Sequence, residues 1–270
     1  MQTSNNLFFY FKFLLWVVVL LEVEQWSVNL EQGDRWWYAH VAELPGCFTR
    51  GKTRKEVLEA LPQEITHYLG FLETKRQILA KSTVDFRVVE EIHGIPELGE
   101  AGGAVALFTS DKSPVSEGEF QVFLDLMQWN REELLALVNP LPEKALNARP
   151  FPDKWTIIET LRHIANAEEW YISRLGVTAQ KEYESLINNS QSKHKAQAIV
   201  ERLATTRQGV VHALRASFSR GVRGTFSRAE YTKYSEEQWT FRKVLRRFVE
   251  HEREHIGTIK RVVGVLAEGG

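Results

Sequence analysis

The chain is poor in cysteine and has no excess of either charge. Its 270 residues include a single cysteine, Cys47, so no disulfide can form within the chain. The 34 Lys and Arg residues balance 35 Asp and Glu residues, which gives a formal net charge of −1 at pH 7. The absence of a basic excess argues against a nucleic-acid-binding protein. These features are typical of a protein of the reducing cytoplasm, with Cys47 as a packing residue.

Long apolar runs are also missing, apart from one short run near the start. Residues 7–21 are apolar except for Lys12, but this run is shorter than the roughly 18–20 residues that span a membrane. A signal peptide would have a basic start and a small-residue cleavage site, and neither is seen here. Two interpretations of residues 1–22 stay open. These residues either form a membrane anchor or are not translated, in which case translation starts at a non-Met codon near Leu21 or Val23.

Changes of pattern along the remaining chain predict two domains. Residues 23–93 combine alternating strand-like runs with one amphipathic stretch, which predicts an α+β domain with a small antiparallel sheet and a helix. Residues 94–115 are rich in Gly, Pro and Ser and are predicted to be a linker. Residues 116–266 contain four long helical stretches, which predict an all-α four-helix bundle. These stretches are 116–138, 156–175, 192–218 and 240–266, with connections at 176–191 and 219–238.

Two of the helical stretches resemble each other at a spacing of 84 residues. Trp155 and Thr156 correspond to Trp239 and Thr240, and later positions match as well. Each threonine stands where a helix needs an N-cap, directly after a tryptophan that could pack on the first turn. The resemblance indicates either a pseudo-symmetric bundle or a chance likeness between two amphipathic helices.

Three histidines on the predicted helices form a candidate metal site. His251 and His255 are four residues apart, so their rings lie one turn apart on the same helix face and can reach one ion. His163 lies at the edge of the apolar face of the second predicted helix. Three neutral imidazoles would leave a coordination position open, as in catalytic metal sites. The alternative is that the histidines only pack in the core.

Two glutamates are predicted to face the interior of the bundle. Glu168 and Glu252 fall on the apolar faces of the second and fourth helices, where a carboxylate needs a partner. They either orient an imidazole N–H next to the metal or form a buried ion pair or hydrogen bond. Both interpretations stay open.

The segment His251-Glu252-x-x-His255 also matches the zinc-protease pattern, in which the glutamate is the general base. That hypothesis requires a third ligand well downstream of the pair. Glu268 is the only carboxylate or imidazole after His255, so the protease hypothesis is disfavoured.

The two repeated stretches resemble the DinB-like superfamily, over about residues 116–266. They read WTIIETLRHIANAEEWY from Trp155 and WTFRKVLRRFVEHEREHIGTI from Trp239. The resemblance implies a four-helix bundle in up-down-down-up order, with 176–191 as the long crossover. It also implies a divalent metal, zinc or nickel, on His163, His251 and His255.

The same resemblance implies two alternative functions. Some DinB-like proteins transfer low-molecular-weight thiols such as bacillithiol or mycothiol, or isomerise thiol adducts, while many have no known activity. We therefore expect a metal-dependent enzyme of the thiol S-transferase or hydrolase type, acting on small molecules such as a thiol substrate. The alternative is a non-enzymatic binding or regulatory module with a structural metal. DinB-like domains often dimerise, so the resemblance is compatible with a homodimer, although the sequence itself does not define an oligomeric state.

The segment Glu43-Leu44-Pro45-Gly46-Cys47 and the helix after it resemble the HicB-like fold, over residues 23–92. In HicB-like antitoxins this domain binds a small toxin RNase. Such antitoxins usually carry a DNA-binding segment, whereas here the bundle follows. The resemblance therefore implies a domain for dimerisation, substrate recruitment or binding a protein partner.

Overall fold

A computed structural model describes residues 25–75, 84–187 and 196–268. The predicted leader at 1–22 lies outside these ranges. The chain divides into two compact units, Met1–Val122 and Phe123–Gly270. Within the described ranges no helix has the length and apolar character needed to cross a membrane.

The N-terminal unit contains one four-stranded sheet and one long helix. The strands occur in the spatial order β3-β2-β1-β4, and the helix α1 follows β3 in the chain. Strand β1 pairs antiparallel with β2 and parallel with β4, so the sheet is mixed and not wholly antiparallel as expected. The reason is that the chain crosses over through α1 before it reaches β4, and such a connection allows parallel pairing. The elements are β1 (Trp26–Gly33), β2 (Trp37–Val41), β3 (Phe48–Gly51), α1 (Arg54–Thr74) and β4 (Phe86–Ile95).

The stretch predicted to be a linker lies against the sheet of this unit. Phe108 is fully buried, and the amide of Ala106 donates a hydrogen bond of 2.7 Å to Glu31 Oε2 on β1. The other carboxylate oxygen of Glu31 lies 2.9 Å from His40 Nε2 on β2. A buried carboxylate thus connects residues 104–108 to two strands.

The C-terminal unit is built mainly from four long helices. These are α2 (Glu117–Val138), α4 (Ile157–Ser173), α6 (Ala196–Ser219) and α7 (Phe241–Glu268). Two shorter helices, α3 (Glu143–Leu146) and α5 (Val177–Leu186), lie between them. Helix α5 falls in a stretch predicted to be only a connection. Its described buried side chains are just Ala179 and Tyr183, too few to produce an apolar period in the sequence.

Contacts between the long helices give their directions. Along α2 and α7, the residues that contact each other rise in number together on both helices, so this pair is parallel. The same holds for α4 and α6. For α2 and α6, the contacting residues rise in number on one helix while they fall on the other, so these two helices are antiparallel. The order is therefore up-down-down-up, as the family resemblance implied. The contacts are Asn130–Val249 and Glu133–Lys260 for α2 and α7, Asn166–Arg202 and Glu168–Arg207 for α4 and α6, and Met127–Arg207 and Leu203–Arg131 for α2 and α6.

Both predicted threonine N-caps are confirmed. The hydroxyl of Thr156 accepts a 3.2 Å bond from the amide of Glu159, while the Thr156 amide donates to the Glu159 carboxylate at 2.8 Å. Thr240 accepts a 3.1 Å bond from the amide of Lys243 in the same way. The caps fix where α4 and α7 begin, and therefore where their histidines lie.

We expect Thr156→Ala to lower the free energy of unfolding by about 1 kcal/mol, because the Glu159 amide loses its acceptor. Thr205→Ala is the control, since Thr205 lies within α6 and its hydroxyl donates to the Glu201 carbonyl of its own helix. Urea unfolding of the two variants beside the parent measures the difference. Equal losses for the two variants would contradict a capping role.

Candidate metal centre

Helices α4 and α7 bring the three predicted histidines together. His163 Nε2 lies 2.9 Å from His251 Nε2, and His255 Nε2 lies 3.1 Å from the same atom. One ring nitrogen from each of the three residues can be chosen so that all lie within 4.8 Å of one another. The group contains no carboxylate or thiol in the part of the chain that the structure describes. The i,i+4 spacing on α7 and the antiparallel course of α4 produce this convergence.

Burial keeps the imidazoles of His163 and His251 neutral at pH 7. His251 is only 8% exposed, and His163 and His255 are half-buried. Burial, and next the nearby ring of His255, lower the pKa of His163 to about 4. The same two causes, with burial again the larger, hold the pKa of His251 well below its ordinary value. Neutral imidazole is the form that binds a metal, so no proton competes for His163 or His251 near pH 7.

The arrangement of the donors fits a divalent cation. His251 Nε2 is within hydrogen-bond distance of two other ring nitrogens, but one imidazole nitrogen offers only one in-plane hydrogen-bonding site. A cation that accepts three lone pairs would satisfy all three rings. Tetrahedral coordination with Zn–N bonds of 2.0–2.1 Å places ligand nitrogens about 3.4 Å apart, and the two contacts here are 2.9 and 3.1 Å. The histidine cluster could therefore hold a metal with small adjustments of the rings.

Two aromatic side chains contact different members of the cluster. Tyr171, which is buried, packs edge-on against His251 with 5.6 Å between ring centroids. Trp155 is 42% exposed, and its ring centroid lies 4.7 Å from that of His163 and 6.5 Å from that of His255. The sequence predicted that Trp155 stands at the start of a helix but did not predict its contacts with the histidines. Its counterpart in the repeat, Trp239, is 1% exposed, so the shared motif does not distinguish the two positions.

Glu168 and Glu252 lie away from the histidine rings. Both carboxylates contact Arg131 of α2 and Arg207 of α6, and in the described residues neither bonds to an imidazole. The geometry follows from the helix, because Glu252 is one residue after His251 and so projects about 100° away from it. They form the buried ion pairs of the second interpretation. The contacts are Arg131 Nη2–Glu168 Oε1 at 2.6 Å, Arg131 Nε–Glu252 Oε1 at 2.6 Å, Arg207 Nη2–Glu252 Oε2 at 2.8 Å, and Arg207 Nη2–Glu168 Oε1.

The charge balance of this network keeps Glu252 and Arg207 ionised. Burial raises the pKa of Glu252, but the charges of Arg131 and Arg207 outweigh it and hold that pKa below the ordinary value. Burial likewise lowers the pKa of Arg207, but the charges of Glu168 and Glu252 outweigh burial and raise that pKa above its ordinary value. Glu252 is 1% exposed and bound to arginines, so it does not face the histidine cluster as a protease general base would.

Comparison with known proteins places both units. Residues 126–259 match the model of the DinB superfamily. In the N-terminal region, the UPF0150 protein Ta0767 of Thermoplasma acidophilum is 33% identical over 52 residues, which cover 19% of this chain and 75% of that protein. A solved structure described as "YfiT from Bacillus subtilis is a probable metal-dependent hydrolase with an unusual four-helix bundle topology" is 15% identical, with a TM-score of 0.43. That match covers 61% of this chain and 95% of the other.

The position of the family match agrees with the site geometry. The matched residues begin in α2 and end in α7, and they include all three histidines of the cluster. The N-terminal similarity is independent of this match. The four-helix bundle therefore belongs to the DinB superfamily, and the chain joins this bundle to an N-terminal HicB-like unit related to the UPF0150 protein.

Proposed function

We propose that the four-helix bundle is a metal-dependent enzyme that acts on small molecules, of the thiol S-transferase or hydrolase type. One divalent ion, zinc or nickel, binds to His163, His251 and His255. The observation that carries the proposal is the convergence of three ring nitrogens from two helices at a place where two of the rings are only half-buried. Membership of the DinB superfamily supports it.

The histidine set suits catalysis for an electrostatic reason. Three neutral ligands leave the full charge of a divalent ion in place. Such an ion lowers the pKa of a bound thiol or water and so supplies a nucleophile at neutral pH. The protein contributes rigid positions, because His251 and His255 share one helix and His163 lies on a capped neighbour. The half-buried rings give a small molecule access to the ion.

The alternative is a binding or regulatory module whose metal is structural and whose HicB-like unit binds a protein partner. A structural site is normally closed by four protein ligands. Among the described residues the cluster supplies three ligands, and two of these are only half-buried. An open position next to solvent favours the enzyme over the structural module.

Metal analysis tests the site directly. We expect the purified parent to contain about one equivalent of zinc or nickel, and the His251→Ala/His255→Ala variant to contain none, because two of the three ligands are gone. His212→Ala is the matched control, since His212 lies in the same unit with its side chain 44% exposed and its ring beside Glu182. It should retain the metal content of the parent.

Two results would separate the possible functions. A parent that binds no metal, even after reconstitution, would overturn the metal site and the enzyme together. If the parent binds metal, the metal-loaded and metal-free forms are compared for thiol transfer and for hydrolysis of small esters and amides. A metal-loaded protein that neither binds thiols nor catalyses these reactions would favour the structural module.

A further inference from the structure

The two tryptophans of the internal repeat have very different surroundings. Trp155 and Trp239 both stand one residue before a threonine N-cap. Trp239 is 1% exposed and packs edge-on against Trp170, with 5.2 Å between ring centroids. Its other contacts include the ammonium group of Lys243, which lies 4.2 Å from the ring centroid. Trp239 is a core residue, and the start of a helix can therefore bury an indole at this position.

Trp155 remains 42% exposed at the equivalent position. Leaving a large part of an indole in water forgoes hydrophobic stabilisation that full burial would provide. In the described residues its ring contacts are His163 and His255, the two half-buried members of the cluster. The exposed ring therefore lies beside the two imidazoles that solvent also reaches.

The burial of the three histidines defines the side from which a ligand must approach. His251, the most buried of the three, packs against the buried Tyr171. A small molecule approaching a bound ion would therefore pass His163 and His255, the two rings that the indole of Trp155 contacts. An aromatic ring at that distance offers a flat apolar surface for stacking.

We propose that Trp155 is a specificity-determining residue of the metal centre. It selects ligands in which a planar apolar group is attached close to the donor atom, so that the donor binds the ion while the planar group stacks on the indole. This inference rests on the proposed function, because it requires a metal with an open position. Small thiols that carry an aromatic ring are preferred over small polar thiols of similar acidity.

Cobalt(II) provides a probe, because its visible spectrum reports both its own binding and the binding of a thiolate. The parent, Trp155→Ala and Tyr231→Ala are loaded with cobalt and titrated with benzyl mercaptan and with 2-mercaptoethanol, two alkyl thiols of similar acidity. Tyr231 is the control, because it is an aromatic residue of the same unit with 73% exposure. Its carbonyl contacts Trp170, seven residues along α4 from His163, or about 10 Å along the helix axis.

We expect the parent to bind benzyl mercaptan more tightly than 2-mercaptoethanol. Trp155→Ala should weaken benzyl mercaptan binding about threefold to tenfold, since an aromatic pair contributes roughly that much. Binding of 2-mercaptoethanol, which has no ring to stack on the indole, should weaken less than about twofold. Tyr231→Ala should behave as the parent does, and Trp155→Phe should keep most of the preference because it retains a ring.

The outcomes distinguish this inference from the proposed function. Cobalt binding with equal affinity for the two thiols in the parent would overturn the role of Trp155 and leave the metal site intact. That comparison needs no variant, so it holds even if Trp155→Ala does not fold. Equal weakening of both thiols in the variant would indicate a structural role and would also overturn the inference. Failure of the parent to bind cobalt would overturn both proposals.

Discussion

Replacing Arg207 with Met lowers the free energy of unfolding of the C-terminal unit by about 3–5 kcal/mol, because it removes one partner of a buried ion network. Arg207 is 7% exposed and bonds to Glu168 of α4 and to Glu252 of α7. It also donates to the Met127 carbonyl at 2.5 Å. In the variant two buried carboxylates share Arg131 alone.

Hydrogen exchange of amides in α4, α6 and α7 measures this loss in the full chain, since it reports each unit separately. Arg202→Met is the control on the same helix, because its side chain has a 4.0 Å ion pair to the exposed Glu169 and donates to Asn166 Oδ1 but, among the described residues, contacts no buried carboxylate of the ion network. It should cost about 1 kcal/mol, the net contribution of one such hydrogen bond, and clearly less than Arg207→Met. Adding Glu168→Leu to Arg207→Met should recover part of the stability, because charge balance with Arg131 and Glu252 is restored. A loss below about 1 kcal/mol for Arg207→Met would contradict the network.

The histidine cluster could be predicted from the sequence because it depends on local spacing. His251 and His255 lie on one face through the helix period alone, and the apolar face of α4 identified His163 as a residue at the edge of the core. The threonine caps were accessible for the same reason, since an N-cap and its amide partner are three residues apart. Whether the rings bind a metal stays a prediction for the elemental analysis.

The partners of the buried glutamates could not be found in this way. Arg131 is 37 residues from Glu168 and 121 residues from Glu252, and no sequence period connects such positions. An arginine on a helix is more often exposed than buried, so neither Arg131 nor Arg207 was distinguishable from the other arginines of the chain. The tertiary packing of α2 and α6 determines their roles.

The N-terminal unit shows the same limit at the stretch 94–115. Composition rich in Gly, Pro and Ser predicts a linker, but short apolar side chains within it, Ala104 and Ala106, are buried, as is Phe108. The acceptor for the Ala106 amide is a carboxylate 75 residues earlier. From sequence alone, a glutamate within a strand is predicted to face solvent. The fold shows instead that Glu31 is fully buried.

Glu31→Ala therefore destabilises the N-terminal unit by about 2–6 kcal/mol, since two buried donors lose the carboxylate that they contact and each such loss costs about 1–3 kcal/mol. These groups are the ring of His40, which is 2% exposed, and the amide of Ala106. Glu90→Ala is the matched control, because Glu90 accepts bonds from the amide and hydroxyl of Thr109 in the same stretch but at the surface. It should cost less than about 1 kcal/mol. Exchange of the Ala106 amide should accelerate strongly in the first variant and little in the second; similar acceleration in both would mean that burial of Glu31 adds nothing to its bond.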